Sequence, residues 1–251
     1  MKSIEVFYHL YIPDNIHACN WVWWVDQQLL LIRNSKLSNI AKINMAITMP
    51  KYWAAINGAY FVKNTDQDIR ISFESKVVEY VNLRYPFVNI LDIRDTGAPN
   101  IYEGHTLKLL YNRCQEADID VLYFHSKGVL NNGSASVANW REILNHFCIT
   151  EWAECVNQLQ RADVVGLKET SKLNIISGNF WWSNSEYIKT LPDPLTSEKY
   201  MSAADCWPGQ ISYRYSFEHW VAVNNPNIYF VKDTKVNHYK QYCFLEDVIK
   251  R

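Results

Sequence analysis

The sequence lacks the short motifs that mark most nucleotide-handling and hydrolytic α/β proteins. It has no Gly-x-Gly-x-x-Gly and no Gly-x-x-x-x-Gly-Lys-Ser/Thr, which argues against a Rossmann dehydrogenase and a P-loop kinase. It has no Gly-x-Ser-x-Gly elbow, so an α/β-hydrolase is disfavoured. Its six cysteines form no Cys-x-x-Cys pair, which removes a zinc ribbon and a thioredoxin-like centre. They are most simply buried free thiols, and the expectation is a reducing, cytoplasmic setting. No apolar run approaches a membrane span, so no integral membrane segment is expected. Lys2-Ser3-Ile4-Glu5-Val6-Phe7 reads as a strand rather than a signal peptide. A formal net charge of -1 leaves no basic field to attract nucleic acid or anionic lipid. There is no internal repeat, low-complexity tract or linker, and 251 residues suffice for one large α/β domain.

What is present is aromatic: 14% of the chain, with 10 Trp and 16 Tyr. Large rings fill cores, and flat rings also make platforms for sugars. The first half alternates strand and helix patterns. Strands are expected over Ile4–Tyr11, Ile43–Met49, Phe87–Ile93 and Val121–His125. Helices are expected over Trp21–Arg33, capped by Asn20, and over Asp66–Leu83 and Tyr102–Cys114. The segment Lys51–Lys63 is ambiguous. The β-α alternation predicts a mainly parallel central sheet in a three-layer α/β/α domain. Further on, Val137–Gln160 reads as helical with a break near Ile149-Thr150. Val164–Leu167, Ile175–Trp182 and Ile228–Val231 read as strands, and Tyr213–Val223 as a short helix.

In a parallel sheet, ligands bind outside the carboxyl ends of the strands. Three such ends carry chemistry. The first offers Tyr8, His9 and Tyr11, the third Arg94, Asp95 and Gly97, and the fourth His125, Ser126, Lys127 and Gly128. This places two imidazoles, Arg94 and Lys127 along one edge of a nearly neutral protein, which fits a pyrophosphate-bearing ligand. The same cluster also reads as an ordinary solvated loop. Asp118-Ile119-Asp120 spells a metal-binding Asp-x-Asp but precedes its strand, and is expected to be a solvated turn at the wrong end of the sheet.

Five motifs occur in order: Tyr8-His9-Leu10-Tyr11, Tyr123-Phe124-His125-Ser126-Lys127-Gly128, Trp140-Arg141, Ser177-Gly178-Asn179-Phe180-Trp181-Trp182 and Glu218-His219-Trp220. Together they resemble bacterial and viral glycosyltransferases of the GT-A type, and are similar to rhamnan-synthesis proteins with a His-x-Lys after the fourth strand. The resemblance implies a GT-A fold and a hexosyl- or deoxyhexosyltransferase of polysaccharide synthesis. Its partners would be a nucleotide-sugar donor and a glycan or saccharide acceptor. Residues 1–128 would form the nucleotide-binding half and 129–251 the acceptor-binding half. Tyr8, His9 and Tyr11 would meet the nucleobase, and Arg94, Asp95 and Gly97 the ribose or diphosphate. Such folds usually carry Asp-x-Asp and a divalent metal, Mn or Mg, at the fourth strand's end. His125-Ser126-Lys127 stands there instead, which weighs against metal dependence and lets Lys127 neutralise the leaving diphosphate.

Glu218 is the candidate general base, or else the partner of Arg214 four residues earlier. Asn179, Trp181, Trp182 and Trp220 are candidate acceptor contacts. The two adjacent tryptophans alternate across a strand, so one is expected to face the core and the other the cleft. Trp140-Arg141 reads equally as helix packing with a structural ion pair. Two other classes remain: a nucleotide-sugar- or carbohydrate-binding domain without turnover, and a nucleotidyltransferase. The latter normally has a Gly-rich basic loop after its first strand, which Pro13-Asp14-Asn15 does not supply.

Overall fold

The computed structural model describes residues 2–13, 21–49, 54–56, 59–61, 67–95, 103–127, 134–168, 176–199, 213–236 and 241–250. The strands are β1 (Ser3–Tyr11), β2 (Ala41–Met49), β3 (Ala54–Ile56), β4 (Ala59–Phe61), β5 (Val88–Asp95), β6 (Ile119–His125), β7 (Val164–Lys168), β8 (Ile176–Asn184) and β9 (Ile228–Asp233). The helices are α1 (Trp21–Asn34), α2 (Gln67–Arg84), α3 (Gly104–Glu116), α4 (Ala135–Asn145), α5 (Trp152–Gln158), α6 (Ser185–Thr190), α7 (Tyr213–His219) and α8 (Leu245–Lys250). A π-helical turn, His146–Thr150, joins α4 to α5, where the sequence pattern breaks. Lys51–Lys63 contains the antiparallel pair β3–β4.

Seven strands form one sheet in the order β5-β2-β1-β6-β8-β7-β9. β5, β2, β1 and β6 pair in parallel, as do β7 and β9, while β8 runs antiparallel between β6 and β7. The first three of these strands are laid down outward from β1, and the chain then returns to place β6 on the other flank of β1. A right-handed crossover that reverses direction puts its helix on the opposite face. Accordingly α1 and α2 pack in one core with Val6, Tyr8 and Leu10, while α3 packs in the other with Phe7 and Tyr123. α4, α5 and α8 join the first face, and α6 and α7 the second. β1 and β6 are buried on both sides, which is why they read as near-continuous apolar runs.

At the amino edge Glu5 is buried and partnered. The Glu5 carboxylate accepts from Arg113 at 2.7 Å and from Asn44 at 3.0 Å. Asp118 is exposed there and pairs with Lys2 at 2.8 Å. Asp120 corrects the solvated-turn expectation: β6 begins two residues earlier, at Ile119, and this carboxyl is buried within it. Burial pushes its pKa up despite the nearby Lys2 charge. No helix among the described residues is long and apolar enough to cross a membrane.

Candidate functional site

The strand order reverses between β1 and β6, and the crevice outside the carboxyl ends at such a switch point is where open α/β sheets bind ligands. His9 and His125 are register partners across it. Ser126 ties the two ends together: its amide donates to His9 O at 3.0 Å, and its hydroxyl accepts from the Tyr11 amide at 2.9 Å. The Ser126 hydroxyl is therefore occupied by the backbone.

Alternation sends His9 and His125 to the α3 face. There Glu103, immediately before α3, forms the hub. It is 5% exposed, and the positive end of the α3 dipole favours a carboxylate at this position. Gly104 is required beside it, because a Cβ there would drive into the Phe217 ring of α7. Glu103 Oε1 lies 2.9 Å from His125 Nδ1, and Oε2 accepts from Asn179 Nδ2 at 2.5 Å. Asn179 Oδ1 in turn accepts from Trp181 Nε1 at 2.8 Å. His125 Nε2 lies 2.9 Å from Gly178 O. A carbonyl only accepts, so Nε2 carries a proton.

Gly178 and Asn179 are both left-handed, at φ 66 and 55. Asn tolerates the left-handed region better than other residues with a side chain, and surrounding contacts hold it there. Here those contacts are Glu103, Trp181 and the His125 bond to Gly178 O. His9 Nδ1 lies 2.8 Å from Thr106 Oγ1 of α3. Burial lowers the His9 pKa to about 4, against the opposing pull of the Glu103 charge and with help from His125 and His105. Tyr123 stays neutral, because burial and the charges of Glu103 and Glu218 hold its phenol well above the ordinary value. Glu218, half-buried on α7, thus lies within electrostatic reach of the hub.

The α1–α4 face of the same crevice carries cations and rings. Tyr8 stacks on Phe124 with centroids 4.6 Å apart, and Tyr11 packs against Trp24. Lys127 is only 4% exposed, with Nζ 4.2 Å above the Trp140 ring. Trp140 Nε1 donates to Ser177 Oγ at 2.8 Å. Gln28 of α1 donates to His125 O at 3.1 Å.

The structure therefore brings Tyr8, His9, Tyr11, His125, Ser126 and Lys127 to the carboxyl ends of β1 and β6, with Asn179 and Trp181 of β8 bonded to the same network and Glu218 within electrostatic reach. Arg94 shares the edge but stands two strands from β1, about 10 Å away at ordinary strand spacing. Its side chain is 51% exposed and its Nε donates to Asp92 at 2.6 Å, with His105 Nε2 2.7 Å from the same oxygen. Gly97 and Gly128 lie outside the described residues, as do Asn20, the Asp95 side chain and the Arg214 side chain. Trp181 and Trp182 do fall on opposite faces, but both are fully buried, so neither faces an open cleft. Trp182 Nε1 donates to Cys148 O and Trp220 Nε1 to Pro192 O, each at 2.8 Å. Those bonds explain their place in the core. Arg141 has no structural ion pair among the described residues.

Glu103 was not singled out by the sequence. It sits among helix-forming residues next to Tyr102, and an acid in a first helical turn is common. The one available signal was the Glu-Gly step that opens α3, where a glycine inside an expected helix marks a close approach.

Residues 87–228, more than half of the chain, match the model of a family described as a domain of unknown function (DUF8361). Among curated proteins, none matches the chain.

Proposed function

The chain belongs to the DUF8361 family, and from its own site we propose that it is a glycosyltransferase, moving a sugar from a nucleotide-sugar donor to a hydroxyl of a glycan. The observation that carries this reading is the switch-point crevice itself. It sets a buried carboxylate–imidazole–amide network on one side and buried cations among aromatic rings on the other. Acid–base groups suit an attacking hydroxyl, and cations suit a departing diphosphate. The mainly parallel sheet with its reversal beside β1 supports the GT-A-like architecture that the motifs resemble.

In this reading the donor, UDP-linked or another pyrimidine nucleotide, lies beside Tyr8 to Tyr11. The acceptor O–H gives its proton to Glu218 and its oxygen bonds to the anomeric carbon. The bond from that carbon to the diphosphate oxygen breaks, and the nucleoside diphosphate leaves with the electron pair. Lys127 neutralises the charge that develops. Glu103 positions His125 and, through Asn179, the β8 turn. The donor set at the end of β6 does not suit Mn or Mg. An ammonium occupies the usual carboxylate position, and both His125 nitrogens face protein oxygens. No step is routed through a metal.

A second reading, nucleotide-sugar binding without turnover, draws on the closure of the same groups: His9, His125 and Glu103 are each under 7% exposed and engaged with one another or with Thr106. Incubation with a panel of nucleotide sugars, followed by assay of released nucleoside diphosphate, separates the two. Release supports transfer or donor hydrolysis; calorimetric binding without release supports the binding domain. No binding of any common nucleotide sugar removes both.

A further inference from the structure

Arg141 on α4 is 2% exposed, yet it faces no acid among the described residues. Its Nε donates to Gln27 Oε1 at 2.9 Å and its Nη1 to the Lys127 carbonyl at 3.1 Å. The guanidinium lies 3.7 Å from the Trp24 ring centroid and 5.2 Å from that of Trp23. Besides burial, the groups that act on it electrostatically are the Tyr8 phenol and, after it, the exposed Glu142, with which it forms no ion pair. Burial lowers its pKa to about 10, so it remains charged at neutral pH. The contrast with buried Glu5, which has a full ionic partner in Arg113, is direct.

A buried cation held by a ring and two neutral oxygens leaves much of its planar fork unused. One turn along α4, the buried Asn145 Nδ2 also has no acceptor among the described residues, while its Oδ1 accepts from Gln28. Unused donors of this kind are what a site built for an anion offers. Their position is set by the bond to Lys127 O, which fixes Arg141 to the carboxyl end of β6.

We infer that Arg141 is an anion-binding residue, and that its fork receives a phosphate or diphosphate group entering the crevice between β1 and β6. The inference rests on the proposed donor chemistry for the identity of the occupant, but the anion site itself does not require transfer.

The test uses inorganic pyrophosphate and UDP as probes in titration calorimetry, with thermal melts of the full chain. Both probes should bind the parent. Arg141→Met should weaken pyrophosphate roughly ten- to hundredfold, since an ionic hydrogen-bonded contact is lost. Its ligand-free melting temperature should stay within about 3 °C of the parent, because a buried charge without a partner contributes little to stability. Arg141→Lys keeps the charge but not the fork, and should recover only part of the affinity. If Arg141→Met does not fold, the Lys variant decides alone: parental affinity overturns the inference and at least about fivefold weakening supports it. Pyrophosphate binding within twofold of the parent in Arg141→Met also overturns it, as does failure of the parent to bind either probe. Arg141-dependent binding without any sugar transfer would leave this site standing and remove only the transferase reading. Turnover that ignores Arg141 would do the reverse.

Discussion

His9 gives the most direct handle on the buried network. The substitution is His9→Gln, which preserves a hydrogen bond to Thr106 but does not titrate. Above pH 6.5 the imidazole is neutral in both the folded and the unfolded chain. Between 6.5 and about 4 the unfolded chain takes up a proton that the folded one refuses, chiefly because the ring is buried. The unfolded state then binds more protons, so stability falls as pH is lowered through that window and returns as pH rises. The full difference between the two pKa values corresponds to about 3 kcal/mol, of which about 2 kcal/mol is reached by pH 5. Other carboxylates and histidines titrate in the same range, but they do so in both proteins and cancel in the comparison. Urea unfolding at pH 7 and pH 5, followed by tryptophan fluorescence, should show the parent losing about 2 kcal/mol more than His9→Gln. In thermal melts the same difference is about 4–8 °C for a chain of this size. Equal losses in the two proteins, within about 0.5 kcal/mol, would refute the placement of a neutral His9 in the network.

Three further outcomes are expected. Glu103→Leu should cost about 3–5 kcal/mol in denaturant unfolding, because it strips a buried imidazole and amide of their shared partner, while Glu103→Gln should cost clearly less. Lys127→Met, assayed with a working donor, should lower kcat about one to two decades and change KM less, because the charge it meets develops as the bond breaks. Activity within twofold of the parent at unchanged stability would place Lys127 outside the chemistry. Gly104→Ala should destabilise by about 1–3 kcal/mol through collision with Phe217, and the paired Phe217→Leu should relieve part of that in a double-mutant cycle.

The sequence made the central strands legible for a simple physical reason. β1 and β6 are buried on both faces, so every residue from Val6 to Leu10 and from Val121 to Phe124 had to be apolar, aromatic or a specifically bonded histidine. The parallel order of the first four strands followed from their alternation with helices. The antiparallel β8 did not, because a strand buried on both faces reads the same in either direction. The strand-end placement of the candidate residues His9, His125 and Lys127 was legible. Glu103 was not legible, because its role comes from meeting Asn179 across 76 positions of sequence, a contact that no local pattern encodes. The tryptophans misled because aromatic abundance cannot separate a sugar platform from a core; Trp182 and Trp220 are hydrogen-bonded core rings.

The placement of β8 also bears on the order in which the chain can assemble. β2, β5 and β6 each find a neighbour already made, so the first half of the sheet can grow outward from β1 as it leaves the ribosome. β7 cannot, because both of its neighbours, β8 and β9, are synthesised later. Until β8 slots in, β6 presents an open, apolar edge, the kind of surface on which nascent chains pair wrongly with one another. The same strand delivers Asn179 to Glu103 and Gly178 O to His125. Closing the sheet and completing the polar network are therefore one late event, and a chain halted at residue 168 would hold His9 and His125 in register without the strand that locks them.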